Sequence, residues 1–451
     1  MYETGYFMHT STSPWRRKHP KMALILSLSL LVTTISAQQI GTPEVRPLLT
    51  THHCTSANGC IKQNTSIVLD AATHSIHDAT NPSISCTTAG GLNPTLCPDK
   101  QTCAENCVID GIADYAAHGV ETHGSQLILT QYRKVNGTLS SVSPRVYLVD
   151  ESNPGEQEYQ ALSLLAQEFT FTVNVSALPC GMNGALYLSE MSPTGGRSTL
   201  NPAGASYGTG YCDAQCYVNP WINGEGNVDG HGACCNEMDI WEANSRSTGF
   251  TPHACLYEPE ETEGRGVYEC ASEDECDSAG ENDGICDKWG CGFNPYALGD
   301  KEYYGRGQEF EVNSKEPFTV VTQFLTDDGT STGALTEIRR LYIQHGEVIQ
   351  NAVVASGADS LTDSLCASTA SWFDSFGGME GMGRALGRGM VLAMSIWNDA
   401  GGHMQWLDGG NAGPCNATEG APEFIEEHTP WTRVVFEDLR WGDIGSTFQA
   451  S

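Results

Sequence analysis

Three carboxylates fall within six residues of the chain: Glu237, Asp239 and Glu242, in the run Gly232-Ala-Cys-Cys-Asn-Glu-Met-Asp-Ile-Trp-Glu-Ala-Asn244. On a helix, offsets of two and three point the three side chains in different directions, and no shared site forms. On a strand, Glu237 and Asp239 share a face because side chains alternate with period two. Glu242 then falls on the opposite face, unless one extra residue is inserted between Asp239 and Glu242. A β-bulge supplies such a residue, and bulges are over-represented beside active sites. With it, all three acids line one face, while Met238 and one of the Ile240-Trp241 pair fill the other.

The chemistry suited to such a face is glycoside hydrolysis. A retaining enzyme needs two carboxyl groups roughly 5–5.5 Å apart, one as nucleophile and one as general acid/base. A third carboxyl beside the nucleophile shares a hydrogen bond and pushes the two working pKa values apart. Acid clusters also occur as solvated structural faces. Spacing alone therefore leaves both readings open.

The rest of the chain must position these groups. It has 451 residues, within reach of one large β-sandwich. A net charge of −32 argues against nucleic acid or an anionic membrane as partner, and a neutral polysaccharide is compatible with it. Gly 49, Pro 20 and a charged fraction of 17% fit a loop-rich β protein. Short β-rich runs recur at Leu127–Tyr132, Arg145–Val149, Phe169–Val175, Ala185–Leu188, Phe318–Phe324, Arg339–His345 and Met390–Trp397. Strands separated by turn residues argue a sandwich. Helical periodicity is weak, with short candidates near Glu156–Glu168 and Ser371–Leu386.

Residues 1–37 read as a targeting segment. Arg16, Arg17, Lys18 and Lys21 precede the apolar run Ala23–Ile35, which ends in Ile35-Ser36-Ala37. The long stretch before Met22 makes that methionine a candidate start. The apolar run is too short for a membrane anchor. All 18 cysteines follow this segment, which in a secreted protein reads as nine disulfides. Cys212, Cys216, Cys234 and Cys235 could alternatively form a four-thiolate zinc site. Asn64, Asn136, Asn174 and Asn416 occupy Asn-x-Ser/Thr sequons. The acidic, cysteine-dense insertion Glu258–Cys291 lacks the ligand spacing of an EF-hand and is expected to be a solvated loop held by disulfides. No Ser/Thr/Pro-rich linker or second module follows, so residues 38–451 read as a single domain.

Cys234-Cys-Asn-Glu-Met-Asp-Ile-Trp-Glu-Ala-Asn244 resembles the signature of the cellulases of glycoside hydrolase family seven. The resemblance extends through Leu178-Pro-Cys-Gly-Met-Asn-Gly-Ala-Leu-Tyr187, Gly208-Thr-Gly-Tyr-Cys-Asp-Ala-Gln-Cys216, Trp406-Leu-Asp-Gly-Gly-Asn-Ala-Gly-Pro-Cys415 and Arg440-Trp-Gly-Asp-Ile-Gly-Ser-Thr447. It implies an all-β fold, a curved antiparallel β-sandwich of the jelly-roll, concanavalin-like kind with long disulfide-stapled loops, whose concave face binds a glucan chain. It further implies Glu237 as nucleophile, Glu242 as acid/base and Asp239 as the group orienting Glu237. Trp397 and Trp406 match sugar platforms either side of the scissile bond. Asn183 and Tyr187 match binding positions near the nucleophile, Arg145, Asp213 and Gln215 match polar groups of the groove, and His253 matches a histidine close to the acid/base. The disulfides Cys212–Cys235 and Cys216–Cys234 are implied in the same way. No cofactor or metal is expected, and neither is a nucleic-acid or membrane partner. The implied protein is a secreted, monomeric endo-β-1,4-glucanase acting on cellulose and related β-glucans such as mixed-linkage glucan or xyloglucan.

Two rivals remain, a chain-end cellobiohydrolase of the same fold and a lectin-like glycan binder. A lectin needs no acid/base pair. Chain-end members carry a longer insertion before the Gly-His-Gly-x-Cys-Cys stretch, whereas here Cys216 and Cys234 enclose only Tyr217–Ala233. An arginine that such members place just before the cysteine matching Cys286 is missing. The segment Ala71–His77 carries no Phe, Tyr or Trp to stack distal sugars. A bell-shaped pH profile below neutrality is expected unless burial raises the two carboxyls strongly.

Overall fold

Hydrophobic alternation builds two mainly antiparallel sheets that face each other across one core. The computed structural model describes residues 39–448, apart from Pro154, Glu156, residues 258–265 and Ser371. The expected targeting segment and the start of the acidic insertion lie outside the described residues.

The larger, 10-stranded sheet runs in the order Glu347–Gln350, Leu335–Gln344, Phe318–Thr326, Gln167–Asn174, Arg433–Asp443, Gln126–Thr130 and Val120–His123, with shorter strands paired at its margins. The smaller, 8-stranded sheet runs Glu158–Tyr159, Arg145–Asp150, Met390–Asn398, Met182–Ser189, Glu237–Ala243 and Thr248–His253, with Thr65–Leu69 and Ala161–Leu162 paired alongside. Period two sorts the strands Arg145–Asp150, Met182–Ser189 and Met390–Asn398 of this sheet. Val146, Leu148, Met182, Leu186, Leu188, Leu392, Met394 and Ile396 enter the main core. Val149, Ala185, Tyr187, Val391 and Ala393 point the other way, into a second apolar cluster with cysteines 212, 216, 234, 235, 255 and 286. Loops stapled by disulfides therefore wall part of the outer face of the smaller sheet. The fold is the curved β-sandwich expected.

All seven β-rich runs fall on strands, three of them including one residue outside the strand (Gln131, Val175 and His345), but the helix expected over 156–168 is not formed. Glu158–Tyr159 pairs with Asp150 and Val149, Ala161–Leu162 pairs with Val391 and Met390, and Gln167 opens a long strand. Sheet pairing overrides the local helical pattern there. The second candidate is a 3-10 turn, Phe373–Phe376, followed by the helix Gly378–Arg388. Met379, Met382, Ala385 and Leu386 bury its inner face.

Nine disulfides join all 18 cysteines. Cys212–Cys235 and Cys216–Cys234 are among them, which removes the thiolate zinc alternative. Between Cys216 and Cys234 lies a short ribbon, Trp221–Ile222 paired with Glu225–Gly226. It lies against the helix Lys100–Asn106, so closely that a Cβ on Gly226 would come within 2.7 Å of the Cys103 sulfur.

Trp241 anchors the two sheets together. It is fully buried and meets Phe171, Tyr304, Phe318 and Tyr342 edge-on, at centroid separations of 5.7–6.5 Å. Such edge-to-face pairs add to the burial of a large ring. Trp241→Ala is expected to cost about 3–5 kcal/mol of unfolding free energy, read by denaturant titration.

Candidate active site

The acids lie on Glu237–Ala243, and the strand is bulged where the carboxylate spacing requires it. Against Thr248–His253 the register pairs Asp239 with Thr251 and Glu242 with Gly249, so Ile240 and Trp241 together oppose the single residue Phe250. Against Met182–Ser189 the register shifts as well, between Leu186 and Leu188. The extra residue brings Glu237, Asp239 and Glu242 to the outer face. The opposite face differs from expectation in one respect: Ile240 and Trp241 both enter the core with Met238. A bulge widens the strand locally, and the core takes both apolar residues.

Each carboxyl has its own environment. Glu237 accepts a hydrogen bond from the Ala214 N–H at 3.2 Å. Ala214 sits between Cys212 and Cys216, whose disulfides reach back to the two residues at 234 and 235. The loop and the start of the acid strand are thus fixed to each other covalently. Burial, with the charges of Asp239 and Asp213 added, holds the Glu237 carboxyl well above its ordinary pKa, against the opposing pull of His253 and the Ala214 N–H. Glu242 retains partial exposure and accepts from Asn183 Nδ2 at 2.8 Å. Desolvation and the Asp239 charge push it up to about 8, although the Asn183 bond works the other way.

Asp239 pairs with His253, Oδ2 to Nε2 at 3.0 Å. The other ring nitrogen of His253, Nδ1, faces the Asp287 carbonyl at 2.9 Å. A carbonyl and a carboxylate are both acceptors, so the ring satisfies them only with a proton on each nitrogen. Burial alone would discharge the imidazolium. The Asp239 bond and charge, with those of Glu237 and Asp287, outweigh it and push the ring up to about 10. The histidine therefore engages Asp239, opposite Glu237 in register, rather than Glu242. Asp239 couples to Glu237 through charge.

The remaining candidates divide. Asn183 is central: it donates to Glu242 and accepts from the Ala243 N–H at 3.1 Å, tying the acid to the neighbouring strand. Trp397, paired with Asn183 in register, and Trp406 lie together with ring centroids 6.2 Å apart and 28° between planes. Trp406 is about half exposed, and the pair forms a continuous aromatic step beside the acids. Tyr187, buried, and Arg145, part-buried, belong to one polar cluster. Tyr187 Oη is 3.1 Å from Tyr211 Oη, and the Arg145 guanidinium lies 3.4 Å over the Tyr211 ring. Arg145 donates twice to Asp70 Oδ2, at 3.1 and 2.8 Å. Asp213 is buried, accepts from the Gln215 N–H at 3.0 Å, and is raised by desolvation. Gln215 directs its amide to the Lys288 carbonyl at 2.9 Å, so it holds a loop.

Sequence reasoning overlooked three residues. Asp408 accepts from Gly181 N–H and Asn244 Nδ2 at 2.8 and 2.6 Å, which fixes the segment carrying Trp406 to the end of the acid strand. Tyr211 bridges Tyr187 and Arg145. Asp287 holds His253 through its carbonyl. Asp408 and Tyr211 lie in the quoted family runs, but nothing in their spacing marks their role. Asp287 also corrects the expectation for the acidic insertion. Its carboxylate accepts from Asn282 Nδ2 and from the Trp289 and Gly290 N–H groups, and it is fully buried. The far end of that loop is folded onto the site.

A family profile described as Glycosyl hydrolase family 7 matches residues 39–448. The chain belongs to this family. It is 90% identical to Endo-beta-1,4-glucanase celB of Emericella nidulans over 430 residues, 95% of this chain and all of that protein. Endoglucanase EG-1 of Humicola insolens is 48% identical over 435 residues, 95% of each chain. The native structure of the Humicola insolens endocellulase EGI superposes with a TM-score of 0.83 at 48% identity, covering 91% of this chain and all of that one. A GH7 family cellobiohydrolase from Daphnia pulex superposes almost as well, with a TM-score of 0.82 at 36% identity, covering 91% of this chain and all of that one. Family 7 membership thus comes with a sandwich shared by endocellulase and cellobiohydrolase relatives.

For this family 7 chain the raised glutamate has a consequence for stability. A carboxyl whose folded pKa lies above its unfolded value binds an extra proton in the fold between the two, so stability falls as pH rises through that window. For Glu242 the window runs from about 4.5 to about 8. Glu242→Gln, which cannot ionise, is expected to be more stable than wild type at pH 8 by on the order of 1 kcal/mol, the partial exposure keeping the gain modest. The difference should vanish at pH 4, as read by denaturant titration at the two pH values.

Proposed function

We propose that this chain is a secreted, monomeric endo-β-1,4-glucanase that cleaves internal bonds of cellulose and related β-glucans with retention of anomeric configuration. The observation that carries the reading is the bulged strand, which places Glu237 and Glu242 on one face in unlike environments. Glu242, its pKa raised and its Oε1 fixed by Asn183, keeps a proton at neutral pH and gives it to the leaving glycosidic oxygen. Glu237, the more enclosed and anchored on the Ala214 N–H, attacks the anomeric carbon as that bond breaks. Water then enters, gives its proton to Glu242, and displaces Glu237 from the sugar. Asp239, paired with His253 and acting on Glu237 through charge, stabilises positive charge developing on the sugar ring. Trp397 and Trp406 offer aromatic faces to the C–H faces of glucose units.

Endo action is favoured by what surrounds the acids. The segment between Cys216 and Cys234 is short, and its ribbon, Trp221–Ile222 paired with Glu225–Gly226, packs on the Lys100–Asn106 helix. His74 and His77 turn inward to Glu44 and Asp110, at 3.0 and 2.9 Å, and present no ring to a distal sugar. The celB and EG-1 relatives agree with this reading. Nine disulfides suit an oxidising, extracellular setting. No helix among the described residues is long and apolar enough to cross a membrane.

On carboxymethylcellulose, viscosity is expected to fall well before reducing ends accumulate. Release of cellobiose with viscosity maintained would establish chain-end action instead. A substrate panel ranks cellulose, mixed-linkage glucan and xyloglucan. NMR of the first-formed product should show the β-anomer, and an α-anomer would refute the double displacement.

Burial raises both carboxyls, so the condition attached to an acidic optimum is not met. Glu242 works protonated, and activity is lost as pH rises through its pKa of about 8. Glu237 works ionised, so its raised pKa moves the acid limb upward too. The kcat/KM profile on a soluble cello-oligosaccharide is therefore expected to peak nearer neutrality than two ordinary carboxyls would allow. An optimum near pH 4 would contradict these environments.

A further inference from the structure

Arg340 occupies a core position of the larger sheet. On Leu335–Gln344 the inward-facing residues alternate as Ile338, Arg340 and Tyr342, and the arginine is fully buried between two apolar neighbours. Burying a guanidinium is costly, and proteins usually pair it with a carboxylate. Among the described residues Arg340 has no such partner. Its Nε donates to Thr322 Oγ1 at 3.1 Å on the adjacent strand. Its Nη2 crosses the core and donates to the carbonyl oxygen of Ile240. Its Cζ lies 4.2 Å from the centre of the Phe250 ring.

Those two contacts are the two sides of the bulge. Ile240 is one of the two residues that face Phe250 alone, and a bulge leaves a backbone group outside the ladder. A carbonyl turned into an apolar core without a donor carries the full desolvation penalty. We propose that Arg340 is a positioning residue for hydrolysis: by donating to the Ile240 carbonyl and covering Phe250, it holds the bulge that brings Glu242 onto the face of Glu237 and Asp239. It touches no substrate and acts only through the acid strand. The energetic sense is reciprocal, since the bulge supplies the acceptor that the buried guanidinium needs. A hydrophobic residue at this position would pack better against Ile338 and Tyr342 but leave the carbonyl unpaired.

The proposal rests on Glu242 as the proton donor, and the test separates the two. Arg340→Met keeps the volume and removes the donors. Its kcat/KM is compared with wild type on two aryl cellobiosides, one with a poor leaving group that needs protonation and one with a strongly activated leaving group that does not. A displacement of the acid of about 1 Å can cost on the order of 100-fold. The expected result is a loss of at least about 10-fold on the poor leaving group and much less on the activated one, with KM little changed and partial recovery in Arg340→Lys. An equal loss on both substrates, or full activity in folded Arg340→Met with only a lowered Tm, overturns the proposal. If Arg340→Met does not fold, Thr322→Val removes one anchor of the guanidinium and leaves the core full. It should show the same leaving-group dependence on a smaller scale, and wild-type behaviour there overturns the proposal. Glu242→Gln measured on the same pair is the independent control. Without leaving-group dependence in that variant, the role of Glu242 fails, whatever Arg340 does.

Discussion

One inserted residue governs this molecule. Without the bulge between Asp239 and Glu242, strict alternation would send Glu242 into the apolar core beside Met238. A buried, unpaired carboxylate is among the most expensive groups a fold can hold. The bulge removes that conflict and creates another, because Ile240 and Trp241 must now both be absorbed by the core. The opposite sheet, with Tyr304 from a separate two-stranded pair, answers with an aromatic cage around Trp241 and, at Ile240, with the guanidinium of Arg340. The geometry of the acids is thus set from beneath by the sandwich as well as from above by the groove.

Charge is the second constraint. Glu237, Asp239 and Glu242 share a small region with Asp213, and among the described residues the one cation in direct contact with any of the three is the His253 imidazolium. One positive charge offsets one carboxylate, and Asp239 takes it. The two glutamates are left to compete, and the outcome is a pair of raised carboxyls rather than three ionised ones. His253 keeps its charge chiefly through Asp239, while the Asp287 carbonyl faces its far nitrogen. A cysteine-stapled surface loop thereby becomes part of the electrostatics of the site.

Much of this was legible in the sequence. The acid spacing called for a bulged strand, and the register shift lies between Asp239 and Glu242. The alternating runs at Arg145–Val149 and Met390–Trp397 are strands of the sheet that carries the acids. What alternation could not reveal was context. Glu156–Glu168 looked helical because its pattern is local, whereas its strands exist only by pairing with Asp150 and Val391. The acidic insertion looked solvated because charge runs usually are, yet Asp287 is fully buried and its oxygens face loop N–H groups and the His253 ring. Arg340 was invisible for a similar reason. An arginine next to Arg339 in a strand reads as surface, and only the opposing sheet shows that its face is the core.

In the proposed double displacement the two glutamates are chemically identical residues with opposite tasks, so the difference between them must come from their surroundings. Glu242 meets a side-chain amide and retains an opening to the groove, where a leaving oxygen can take a proton. Glu237 meets a backbone N–H and the charge of Asp239, deeper and closer to the stapled loop. The amide of Asn183 is itself fixed, since its oxygen accepts from the Ala243 N–H one residue beyond the acid. The acid therefore cannot shift along its strand without losing its partner. On this face the sheet sets the roles of the carboxyls, while the loops set how much glucan the site can enclose. That division accounts for a sandwich shared with both endocellulase and cellobiohydrolase relatives.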